Sequence, residues 1–148
     1  MGSGMRSMVA IAALAAVMTA PAAAGSEPLR ARVKPPEPAF NRLYHNDEII
    51  DFLRGYARAY PRWVRLESLG KTLGGDDTWL LTINNPETGD ELTKPAMYVD
   101  GAIHANEAQA TETVLYLIDY MLKNYGKLDR VTELMDRSVF YFVPIVSP

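Results

Sequence analysis

The chain has 148 residues, 48% of them apolar and 22% charged, with a formal net charge of −3 and no cysteine, the balance of one globular domain or part of one. The absence of thiols excludes disulfide staples, thiolate zinc sites and a cysteine nucleophile, so any metal must be held by His and carboxylate. The slight acidity, with no run of Lys or Arg interleaved with aromatics, argues against a nucleic-acid partner.

Residues 1–24 read as a secretory signal peptide. Arg6 precedes an apolar core from Met8 to Met18, and Ala22-Ala23-Ala24 supplies the small residues of a cleavage site. The apolar run is shorter than the roughly 20 residues a membrane anchor needs, and no later run reaches that length. The expectation is a secreted or periplasmic protein with no membrane partner after cleavage. Residues 25–43 contain Pro28, Pro35, Pro36 and Pro38, which remove backbone donors and fix torsions. This stretch reads as an extended leader or linker, and the domain proper is expected over 44–148.

Asn46 or Asp47 can cap a helix whose apolar positions Ile49, Ile50, Phe52, Leu53, Tyr56, Ala57 and Tyr60 recur at three and four, with Pro61 as its stop. His45, just ahead of that cap, reads as a surface or hinge group. "WVRLESLGKT" and "DTWLLTINN" predict a hairpin turning at Gly74-Gly75-Asp76-Asp77. After a polar loop from Asn84 to Lys94, Met97-Tyr98-Val99 forms the core of a predicted strand buried on both faces. From Glu107 to Tyr125 a stripe of Ala110, Val114, Leu117, Ile118, Met121, Leu122 and Tyr125 predicts a long helix packed on the core and stopped by Gly126. "SVFYFVPIV" then reads as a central strand. Helix, strand, strand, strand, long helix, strand is the order of an α/β fold, a mixed sheet with helices packed on it.

The stretch "DGAIHANEAQATE", residues 100–112, sits where the third strand ends and the long helix begins. Open α/β sheets bind ligands at such an edge. His104 and Glu107, three residues apart, can bring an imidazole nitrogen and a carboxylate oxygen to one point, and both are zinc donors. Two ligands do not complete a zinc site, since catalytic zinc takes three protein ligands and a water. Asp100 can orient the imidazole from behind or serve the turn at Gly101.

Three quoted stretches in register make the pattern more specific than the tetrapeptide. "YHNDEIIDFLRGYARAYPRWVRLESLGKTLGGDDTWLLTI", "KPAMYVDGAIHANEAQATETVLYLIDYMLKNYG" and "VTELMDRSVFYFVPIVSP" resemble, in order, the opening helix and hairpin, the strand with its H-x-x-E motif and helix, and the next strand of the zinc carboxypeptidases of peptidase family M14. The resemblance implies the first half of a zinc-carboxypeptidase-like domain, of the phosphorylase/hydrolase-like kind. It implies Zn²⁺ as cofactor, His104 and Glu107 as two of its ligands, and the C-terminus of a peptide or protein as substrate. In the family the third ligand, the general base and the groups that bind the substrate carboxylate lie further downstream than Pro148, so no catalytic residue is assigned here. The sequence expectation is an incomplete, inactive fragment whose site needs a C-terminal half. Two positions depart from the family: Asn106 stands where some members have Arg, and Ser147 stands where Asn commonly precedes Pro. The alternatives are a non-catalytic secreted binding module retaining half the fold, and a related zinc amidohydrolase or deacylase.

Overall fold

The computed structural model describes residues 27–148, and the expected signal peptide at 1–24 lies outside them. A helix α1 (Asn46–Ala59) is followed by strands β1 (Val64–Lys71) and β2 (Asp77–Ile83), a single 3₁₀ turn at Glu91–Thr93, and β3 (Ala96–Asp100). Helices α2 (Ala108–Asn124) and α3 (Asp129–Arg137) then lead into β4 (Val139–Val143). The sheet order is β1-β2-β4-β3. The first two pairings are antiparallel and β3 runs parallel to β4, a mixed sheet as expected. A parallel pair requires a long crossover, and α2 with α3 supplies it.

Register explains where the core lies. Val64 pairs with Ile83 and Ile83 with Phe140, while Leu81 pairs with Phe142, so these side chains share one face of the sheet. That face packs against Ile49, Leu53 and Tyr56 of α1 and Val114, Leu115, Ile118 and Leu122 of α2. The predicted α1 stripe lands largely inward. In α2 the fully buried positions include Leu115 and Thr111 besides the predicted Val114, Ile118, Met121 and Leu122. Inside the helix layer the Tyr56 hydroxyl donates to Asp119 Oδ1 at 2.7 Å, and Lys123 reaches the other oxygen at 2.8 Å. A buried carboxylate is tolerable only when paired in this way.

Three expectations change. The α1 cap is His45 rather than Asn46 or Asp47, because Glu48 folds back and accepts the His45 N–H at 2.9 Å, which satisfies one free donor of the first turn. The strand β3 is not buried on both faces: it is an edge strand of the described sheet, with Met97 54% and Tyr98 59% exposed. It runs parallel to β4, and among the described residues it has a neighbour on one side only. Helix α3 was not expected. Its apolar residues Val131, Leu134 and Met135 carry helical spacing over little more than one turn, and only Val131 and Met135 are buried.

Candidate metal centre

The loop from Gly101 to Glu107 leaves the C-terminal end of β3 and enters α2, and the chain after β4 fixes its path. Gly101 N–H donates to Val143 O at 3.0 Å, extending the parallel ladder one step beyond β3. Val146 N–H donates to Gly101 O at 3.0 Å and Ser147 N–H to Ala102 O at 3.1 Å. Held from both sides, the buried Ala102 adopts a left-handed backbone with φ 48°. A non-glycine residue keeps that conformation at a cost of about 1–3 kcal/mol only where its surroundings dictate it. Gly101 is equally constrained, since a Cβ there would stand 2.8 Å from Pro144 O and 2.9 Å from Ala110 C. The loop is clamped between the chain after β4 and the first turn of α2.

His104 and Glu107 project from this clamped loop into solvent, their side chains 76% and 46% exposed. Imidazole Nδ1 lies 2.9 Å from Glu107 Oε1, and Oε2 of the same carboxylate accepts the His104 N–H at 3.2 Å. The backbone closes the turn as Glu107 N–H donates to His104 O at 3.0 Å. These bonds, first the one from the His104 ring and then the one from its backbone, hold the Glu107 carboxyl below the ordinary carboxylate range.

The sequence expectation of convergence can be tested on this geometry. Two donors held at about 2.1 Å from one ion in tetrahedral geometry stand about 3.4 Å apart, so a small opening of the 2.9 Å contact would admit a zinc ion in place of the shared proton. The donor chemistry fits. The donor count does not reach a full set: among the described residues no three His, Cys, Asp or Glu side chains are gathered to hold one metal.

The partner of His104 Nδ1 is Glu107, and the ionisation of the Tyr98 hydroxyl is pushed up first by partial burial and then by the charge of Asp100. Ser147 keeps a backbone role in the clamp, one that no side chain is needed to perform. His45 is an exposed helix cap bordering an open groove of about 810 Å³ with Arg54, Lys71 and Trp79, in line with its reading as a surface group. The clamp by residues 144–147 escaped the sequence reading, because nothing local in Pro144 to Ser147 signals pairing with Gly101 and Ala102.

The zinc carboxypeptidase family model matches residues 49–148. The chain belongs to this family. Carboxypeptidase D of Anas platyrhynchos is 31% identical over 130 residues, which is 82% of this chain and 9% of that protein. The protein called inactive metallocarboxypeptidase ECM14 of Saccharomyces cerevisiae is 32% identical over 111 residues, 74% of this chain and 25% of that one. The chain therefore spans a quarter or less of these relatives. Among solved structures, thrombin activatable fibrinolysis inhibitor superposes with a TM-score of 0.66 at 23% identity, over 72% of this chain and 26% of that one. Carboxypeptidase A from Helicoverpa armigera superposes with 0.62 at 22% identity, over 83% and 28%. These likenesses fix the family fold, in agreement with the sequence resemblance.

Proposed function

We propose that this chain supplies two zinc ligands, His104 and Glu107, to a metallocarboxypeptidase that hydrolyses the C-terminal peptide bond of peptides or proteins, exported to the periplasm or medium. The observation that supports this reading is the pair itself, an imidazole and a carboxylate 2.9 Å apart at the carboxyl end of β3 in a chain of this family. Zinc bound there would lower the pKa of a coordinated water and polarise a substrate carbonyl. The residues of this chain have the task of holding. His104 offers Nδ1, Glu107 offers Oε1, and the Gly101–Ala102 clamp fixes their approach. The remaining ligands, the general base and the groups gripping the substrate carboxylate are assigned outside the described residues.

A calorimetric zinc titration of the chain tests the pair. Weak binding that disappears in His104→Ala and in Glu107→Ala is expected, since two ligands alone give a poor site. Binding that both substitutions leave unchanged would remove these residues from the metal. A second reading, a non-catalytic module with this fold, is favoured by one specific relative, the protein named as inactive at 32% identity. Peptidase activity in a longer chain carrying residues 27–148, lost in His104→Ala, decides for the enzyme, and inactivity with zinc bound decides for the module.

A further inference from the structure

Residues 27–44 form no helix or strand, yet they touch the two helices at points from one end of the segment to the other. The path begins just past the C-terminal end of α2, where Glu27 and Pro28 lie so close to Gly126 that a Cβ on that glycine would stand 2.5 Å from the backbone of both. Arg32 N–H then donates to Ala59 O at the end of α1 at 2.7 Å. One turn back along α1, the Pro36 ring sits over Gly55, where a Cβ would come within 2.8 Å of it. Pro38 is buried, and Phe40 packs edge-on against Tyr116 of α2 with centroids 5.2 Å apart. The path ends at the other end of α2, where Tyr44 N–H donates to Glu112 Oε1 at 2.6 Å and the Tyr44 ring meets Phe52 of α1 at 4.9 Å. The Tyr44 hydroxyl also accepts the Ala39 N–H at 2.7 Å.

Three independent features agree here. Gly55 in α1 and Gly126 just after α2 leave the space that this segment fills, three of its apolar side chains, Leu29, Phe40 and Tyr44, pack on the core, and two of its backbone donors, Arg32 N–H and Tyr44 N–H, are bonded by the helices it crosses. Proline lowers the entropy that such a segment loses on docking. The geometry points to residues 27–44 as a permanent strap of the folded domain, running antiparallel to α2 and joining both its ends to α1. It is not a propeptide released to unmask a site. This inference stands apart from the metal reading and does not need it.

Gly55→Ala in the full chain is the deciding variant. In an ordinary helix interior the exchange of glycine for alanine raises stability, so a loose leader predicts a higher Tm. A docked strap predicts a lower Tm, because the new methyl meets the Pro36 ring. Amide hydrogen exchange of the wild-type chain gives a second reading. The Arg32 and Tyr44 amides should exchange roughly tenfold or more slowly than free-peptide rates, and faster in Gly55→Ala. A raised Tm, or wild-type amides at Arg32 and Tyr44 exchanging at free-peptide rates, would overturn the strap.

Discussion

At Gly101 the deciding quantity is space. The three atoms nearest to a Cβ there, Pro144 O at 2.8 Å, Ala110 C at 2.9 Å and Ala110 O at 3.0 Å, are all backbone, and they belong to two elements on opposite sides of the loop. No side chain can swing away to admit a methyl group, so either α2 or the chain after β4 must move. Gly101→Ala should therefore destabilise the fold by about 1–3 kcal/mol, the usual cost of overpacking, read as a lower urea midpoint. His104 provides the contrast from the same loop: with its side chain 76% exposed, His104→Ala should leave that midpoint within roughly 0.5 kcal/mol. An unchanged midpoint in Gly101→Ala would mean that the loop is not clamped. The approach of His104 and Glu107 was legible in the sequence because its geometry is local, three residues in one turn. The clamp was not, because it depends on residues 144–147, some forty positions away.

At the scale of elements, the start of α1 depends on charge as well as on apolar spacing. Arg42 forks onto Glu48, with Nη1 2.9 Å from Oε2, and Glu48 also accepts the His45 N–H. The Arg42 bond first, and the backbone bond second, pull the Glu48 pKa down to about 2. A carboxyl depressed in the folded state adds stability that is present above its ordinary value of 4.5 and lost as pH falls through about 2. Between those limits Tm should fall with acid, and Glu48→Gln should flatten that slope while lowering Tm at neutral pH. Both partners are partly exposed, so water and salt screen the pair and added salt should shrink the difference. Equal slopes for the two proteins would remove Glu48 from the acid response. The long helices were readable because several turns of periodic apolar residues average out single exceptions, whereas α3 has only Val131 and Met135 turned inward. For β3 the apolar run marked a strand but not its position in the sheet, which is set by strands distant in sequence.

At the scale of the whole molecule, both long helices cover one face of the sheet and β3 closes one side of it. Among the described residues β3 hydrogen-bonds only to β4, so a row of backbone N–H and C=O groups faces outward. Within the strand "AMYVD" the only charge is Asp100 at its end, with no Lys, no Pro and no bulge, and Met97 and Tyr98 are more than half exposed. An edge whose middle residues are exposed and apolar pairs with another strand where one is offered. In a solution of this 148-residue chain the strand on offer is a second copy, so sedimentation velocity should show self-association that grows with concentration. Tyr98→Lys places a charge on the edge at a position that the core does not use, and it should shift the chain toward monomer with an unchanged far-ultraviolet spectrum. A wild-type chain that sediments as a monomer at every concentration would show that the β3 edge is protected in solution.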